Sequence, residues 1–456
     1  MFHQNSVLGL AASKFRLTVY DIAYWFREGN RKSGCLPVSE SRIKSDTRLM
    51  QRCLQRPFLI VMLVWGMFFG LVAAAAAAEN VTVTDLAGNK IRGTISSWSD
   101  QRMVIATESA QEIAREKIRS VLFERPNKKA LTSGSLVWLS NGDRIAARAT
   151  STKSEKLNVS WSLFGDTNPI PLERVTAVLF EIPENATERN RLFADIQTTP
   201  PGSDLVMLSN GDRTNGNFQQ LDSSFVSLEG TSGVLRLDRS RVRVIRMNPE
   251  LTTSMKTPGR RTIVTLIDGS RITATAIDLN NETLKLNSIG LGAVTLSISS
   301  VVSCEFLGNR VVPIGDREPN KIEFTPYLSN AWTLVRNANC LHGPLTLRGS
   351  EFATGVGMHS QMSATYELKG NEIAFQSVVG IDDAANGNGS VIFAVEVDGN
   401  RVWTSEEITG KSAAVTIPSI PLKGNKRIKL IVEFGQYADV ADYANWCDAI
   451  FVLEQK

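Results

Sequence analysis

From Val81 onward, apolar and polar residues alternate in short runs separated by Gly, Asn and Asp. Alternation with period two marks half-buried strands, and such punctuation marks turns. The runs recur. Four segments open alike, at Leu86–Ile91 (LAGNKI), Leu139–Ile145 (LSNGDRI), Leu208–Arg213 (LSNGDR) and Leu266–Ile272 (LIDGSRI). Each also closes alike, at Ile118–Phe123 (IRSVLF), Val175–Phe180 (VTAVLF), Val242–Met247 (VRVIRM) and Val301–Phe306 (VVSCEF). The spacings from Gly88 to Val121, Gly142 to Val178, Gly211 to Ile245 and Gly269 to Cys304 are 33, 36, 34 and 35 residues. A near-constant period over four copies is the mark of an internal repeat.

One copy reads as five short strands. Asn-Gly or Asp-Gly predicts a two-residue hairpin turn with glycine at positive φ. A middle strand follows (Lys156–Val159, Thr283–Leu286), then Ile170–Leu172 or Val294–Leu296, then the closing strand. Closing such a sheet removes the exposed edges that invite aggregation. Each copy is therefore expected as a small SH3-like or Sm-like β-barrel, with a twisted open sheet as the alternative. The copies span 79–125, 131–182, 204–248 and 260–307. Residues 183–203 read as a linker holding a short helix over Glu184–Ile196. Residues 308–320, with two prolines and two glycines, read as a hinge.

From Lys321 the pattern changes to longer alternating runs: Ala364–Leu368, Ile373–Val378, Val391–Val397, Ala414–Ile417 and Ile428–Phe434. This spacing predicts an antiparallel sandwich over 321–456, so the fold class is all-β. Four motifs here, Gly355–Ser360 (GVGMHS), Val379–Asp383 (VGIDD), Gly389–Gly399 (GSVIFAVEVDG) and Ala444–Ala449 (ANWCDA), resemble in order the signature of the NPCBM family of carbohydrate-binding modules, also called family fifty-one. Cys447, Asn445 and Ser360 depart from that pattern. The resemblance implies a galactose-binding-like jelly roll and a carbohydrate or glycan as partner.

Composition locates the chemistry. The formal charge of +4 is uneven. Residues 1–78 hold 10 Lys/Arg against 4 Asp/Glu, whereas 79–456 hold 40 against 42. The folded part thus exerts no general pull on nucleic acid. The basic leader has Arg52 and Arg56 before an apolar run, Phe58–Val72, and then Ala73–Ala78. That order is a secretory signal, with Met50 as the expected start and an extracytoplasmic location for the product. An uncleaved leader acting as a membrane anchor is the alternative.

Segment 79–320 contains no histidine, and its turn acids Asp143, Asp212 and Asp268 are explained by backbone geometry. Arg239, Arg241 and Arg243 would share one strand face and suit a polyanion, or form a solvated face. A hexose needs an aromatic surface and planar polar groups. Trp332, Tyr437, Tyr443 and Trp446 are the candidate platforms, although Trp446 also suits the core. His359, Asp382, Asp383, Asn386 and Asn388 are the candidate polar partners. The loop from Asp382 to Asn388 also suits calcium, with a plain turn as the simpler reading; otherwise no cofactor is expected. Paired acids (Asp382 with Asp383, Asp439 with Asp442) lack the cleft that glycoside hydrolysis needs, so the expectation is a binding protein and not an enzyme. The alternative is an adhesive protein whose sandwich meets a cell-envelope protein. Cys340 and Cys447 lie near the two ends of the module and are expected to form a disulfide, with free buried thiols as the alternative.

Overall fold

The structure is a computed structural model that describes residues 80–455, except 126–132, 167–168, 199–201, 254, 256–258, 281 and 328–330. The leader, with Met50, Cys35 and Cys53, lies outside the described residues.

Copies one, three and four are antiparallel five-stranded units, copy two splits its second and fourth strands in two, and in every copy the last strand returns to pair with the first. In copy one the first strand Asn80–Asp85 pairs with Lys90–Trp98 on one side and with the closing strand Ile118–Phe123 on the other. The strands Arg102–Ala106 and Ala110–Ala114 extend the sheet. A single 3-10 turn precedes the closing strand in every copy: Arg115–Lys117, Leu172–Arg174, Arg239–Arg241 and Ile298–Ser300. The second strand bulges in every copy, between Ile95 and Ser97, Ala149 and Ser151, Phe218 and Gln220, and Ala274 and Ala276. A bulge bends a strand and increases its local twist.

The turn glycines Gly88, Gly142, Gly211 and Gly269 have φ of 92°, 88°, 93° and 85°. The turn is nevertheless longer by one residue than the sequence suggests. Gly142 donates to the Leu139 carbonyl at 2.9 Å, and Leu139 donates to the Asp143 carbonyl at 2.8 Å. Ser140, Asn141 and Gly142 therefore form a three-residue loop in which only glycine is left-handed, the bulge-type hairpin. The same pair of bonds closes the other three turns.

The repeats do not stand apart. Closing strands pair edge to edge, copy one with copy four (Val121 opposite Cys304) and copy two with copy three (Val178 opposite Ile245). One continuous apolar core runs through all four, from Val81 and Val83 to Cys304 and Phe306. Arg239 and Arg241 lie in the 3-10 turn and only Arg243 lies in the strand, so the expected arginine-bearing strand face does not form. Arg239 instead stacks over Phe180 and donates to the Ala149 carbonyl at 2.7 Å.

The C-terminal unit is a two-sheet sandwich. One sheet is built on the long strands Glu372–Ile381 and Ala444–Leu453, with Gly355–Met358 beside the latter. The other holds Met362–Glu367, Arg427–Phe434 and Ser390–Val397. Between them pack Phe375, Phe393, Trp446 and Phe451, all fully buried. The segment expected as a hinge is part of this fold: Val311–Pro313 pairs with Ala444–Leu453, and Ile314 is buried. The sandwich is also seated on the repeats. Leu86, Ile263 and Leu307 pack against Val311, Ile450 and Val452. Each such buried side chain contributes about 1.5–3 kcal/mol. Arg119 adds bonds to Gln376 (3.0 Å) and the Asp448 carbonyl (3.2 Å). The helix Ala186–Thr198, expected within the linker, buries Leu192, Phe193 and Ile196 against copies two and three. It also reaches the sandwich, where Gly343 leaves room for Asn190.

Candidate functional site: the aromatic end of the sandwich

The register places three loop starts together. Met358 and Ile381 both lie opposite Ala444. The residues just beyond those strand ends, His359, Asp382 and Tyr443, therefore share one end of the sheet. The Asp382 amide donates to the Tyr443 carbonyl at 2.7 Å. Loop ends held by rigid strands are the usual carriers of binding.

At this end the His359 ring lies parallel to Trp332, with centroids 4.3 Å apart and planes 6° apart. Tyr443 tilts across both, 5.8 Å from Trp332 and 6.1 Å from His359. Burial pushes the His359 imidazole down to about 4, although Asp439 pulls the other way. The ring is thus neutral at ordinary pH, with one nitrogen to donate and one to accept. Its Nδ1 lies 3.4 Å from the Ser360 hydroxyl. The neighbouring loop places Tyr437, Ala438 and Ala441 at φ of 70°, 59° and 58°. Side chains rarely adopt this region, and such strain gathers at functional loops. Tyr437 and Val440 on this loop are 78% and 62% exposed.

The acidic candidates hold loops. The Asp382 carboxylate is buried and accepts five bonds: Asn339 Nδ2 (3.1 Å), Thr346 N (2.9 Å), Thr346 Oγ1 (3.1 Å), Ala384 N (2.9 Å) and Asn445 Nδ2 (2.6 Å). Burial raises it to about 6 against the pull of these donors. Asp383 accepts from the amides of Arg348 (2.8 Å) and Gly349 (2.7 Å). Asn386, in the left-handed region at φ 50°, reaches the helix residue Thr187 at 3.3 Å. Asn388 is exposed and its side-chain amide donates to the Ala385 carbonyl at 3.0 Å. Asn339 and Thr346, which complete the Asp382 network, carried no signal in the sequence because they come from a separate loop. Among the described residues, no group of three or more His, Cys, Asp or Glu is arranged to hold a metal ion.

Two expectations are corrected here. Trp446 is fully buried and packs edge-to-face on Phe393 at 5.2 Å, so it belongs to the core and offers no platform. Cys340 and Cys447 are not bonded; both are buried and free, as is Cys304. The physical reason is position. Cys447 lies opposite Gly355 and packs beneath Leu345 and Leu347. The Cys340 backbone instead crosses above Gly357, which lies opposite Asn445. Among the described residues no helix is long and apolar enough to cross a membrane.

Residues 322–452 match the NPCBM/NEW2 domain model. A Renibacterium salmoninarum protein named "Putative endo-alpha-N-acetylgalactosaminidase" is 31% identical over 147 residues, 31% of this chain. The chain spans only 10% of that relative's length. Similar solved structures include CBM51 from Clostridium perfringens GH95 in complex with methyl-galactose (23% identity, 31% of this chain and 99% of that one, TM-score 0.28). Another is the tandem CBM51 modules of the family 98 glycoside hydrolase from Streptococcus pneumoniae (13% identity, 67% of this chain and 100% of that one, TM-score 0.28). Residues 322–452, which carry the Trp332, His359 and Tyr443 loops, form an NPCBM/NEW2 domain within a longer chain whose described residues are nearly all β-structure.

Proposed function

We propose that the chain is an exported, non-catalytic glycan-binding protein that takes a sugar at the aromatic end of its sandwich. The observation that carries this reading is the Trp332–His359 stack with Tyr443 across it, beside a strained loop that presents Tyr437. The half-buried Trp332 and Tyr443 offer an aromatic surface that suits the C–H face of a hexose, and His359, only 2% exposed, backs Trp332 from beneath. Asp382 and Asp383 act behind the site by fixing its loops. The repeats serve as a rigid base, because buried apolar residues fill their shared core and, separately, their seam with the sandwich.

A shallow site leaves much of the sugar in water, and each bond made replaces one to solvent, for a net gain of about 1 kcal/mol. The expected affinity is therefore near about 1 mM, or about −4 kcal/mol. Multivalent display of the glycan would raise it by avidity. The test is a glycan array on the purified chain, followed by calorimetry with Trp332→Ala and His359→Ala. Each variant should weaken binding by about tenfold or more, the value of one lost contact of 1.4 kcal/mol. A wild-type chain that binds no glycan, or two folded variants that bind as well as wild type, would defeat the proposal.

A further inference from the structure

Away from the aromatic end, a cavity of ≈ 390 Å³ opens where the sandwich meets the repeats. Its size falls in the range of small-molecule sites. Trp138 and Phe193, edge to face at 5.3 Å, form an apolar patch in its wall. Leu139, Ile263 and Pro344 add apolar surface, and the charged part of the wall is mainly basic, with Arg144, Arg261, Arg271 and Arg336 against Asp143 and Asp316.

Arg144 and Arg271 line the cavity and hold equivalent places in copies two and four, two residues beyond the turn glycine. Both direct Nη2 to the same atom, Glu351 Oε1, with Arg271 at 2.8 Å. Their side chains are only 10% and 14% exposed. One carboxylate thus answers two enclosed guanidiniums, each of which carries five N–H donors and no acceptor. Arg271 Nε is buried without an acceptor. Glu305, Asp143 and Asp448 lie near enough to Arg271 to favour its charge, yet burial outweighs their pull. Asp143 accepts from Thr273 Oγ1 (2.6 Å), Thr273 N (2.9 Å) and Asn141 Nδ2 (2.8 Å), and burial pushes its carboxyl up toward the neutral form. Asp316 is tied to Arg261. Burial thus outweighs the counter-charge at both guanidiniums, and Arg144 also faces the cations Arg271 and Arg189. An enclosed cation lacking its full counter-charge is costly, and a bound anion relieves that cost.

We propose that this junction cavity binds a small saccharide bearing a carboxylate, its anion seated on Arg144 and Arg271 and its ring against Trp138. The apolar indole beside the arginines favours a hydroxylated ring over a bare inorganic anion. The site is independent of the aromatic end, so either proposal stands without the other.

Calorimetry tests it on the full chain carrying Trp332→Ala, which removes the aromatic-end contribution. The probes are galacturonate, galactose, acetate and sulfate. Galacturonate should bind, and the other three should bind at least about tenfold more weakly. Arg271→Gln should lower galacturonate affinity at least about tenfold. Glu351→Gln should raise it, because it removes the carboxylate that competes for the same donors. A merely structural role for Glu351 moves affinity the other way. Arg271→Lys keeps the charge and serves if Arg271→Gln fails to fold; it should retain binding, though more weakly. Absence of galacturonate binding, equal binding of galactose or sulfate, or a folded Glu351→Gln chain with lower affinity would overturn the proposal.

Discussion

Replacing Asp382 with alanine separates a carboxylate that holds loops from one that touches sugar. The substitution strands five donors that converge on two oxygens. Each buried donor left unmet costs about 1–3 kcal/mol. The two side-chain amides and the Thr346 hydroxyl can turn, and a water can enter the space the carboxylate leaves. The backbone amides of Thr346 and Ala384 cannot turn. Two fixed donors, with partial relief for the rest, give a local loss of about 3–5 kcal/mol, the range for breaking a buried charged network. A long chain with several cores is not expected to unfold in one step, so a global midpoint is the wrong readout. Hydrogen exchange at the Thr346 and Ala384 amides reads the loss directly. A loss of 3 kcal/mol speeds exchange by about a hundredfold. Asp382→Asn, which keeps one acceptor oxygen, should fall between. Exchange within about threefold of wild type in Asp382→Ala, where 1.4 kcal/mol is tenfold, would refute the reasoning. So would lost glycan binding at unchanged exchange.

Three further outcomes are expected. Gly211→Val should destabilise copy three by about 1–3 kcal/mol through backbone strain alone, since φ is 93° and no atom lies within 4 Å of the added Cβ; unfolding of the variant in urea checks this. His359 has a folded-state value of about 4, below its ordinary 6.5. Between those values the unfolded chain binds a proton that the folded chain does not, so the His359 contribution is complete above pH 6.5. It falls by about 1.4 kcal/mol per pH unit on acidification. Asp382 and Asp442, both raised to about 6, act in the opposite sense between about 6 and 3.8. The measurement is therefore the difference in sandwich stability between wild type and His359→Gln, which should shrink from pH 6.5 to 4. Finally, Cys304, Cys340 and Cys447 are buried and free, and burial holds each thiol above its usual range. A thiol reagent should miss all three in the folded chain and titrate all three in denaturant without reductant; a shortfall of two would restore the disulfide.

Much of this architecture is local, and the sequence by itself determined it. A turn glycine at positive φ, an alternating strand and a constant spacing are properties of neighbouring residues, so four copies of one β-unit are legible at Gly88, Gly142, Gly211 and Gly269, though not the splitting of two strands in copy two. The sandwich is legible for the same reason, and its motifs point to its family. What alternation cannot specify is the partner at a strand's edge, because backbone bonds there carry no side-chain identity. Tertiary structure alone decided that Val121 meets Cys304 and that Val178 meets Ile245. It drew Val311–Pro313 into a sheet when proline and glycine content suggested a hinge. It also sorted the candidate site. Trp446 and Tyr443 lie three residues apart, yet one is sealed between the sheets while the other lies against the His359 stack. Asp382 carries the same carboxyl as any surface acid, and only the approach of Asn339, Thr346 and Asn445 from distant segments turned it inward. Burial depends on contacts far apart in the chain, and that is the information a single sequence does not hold.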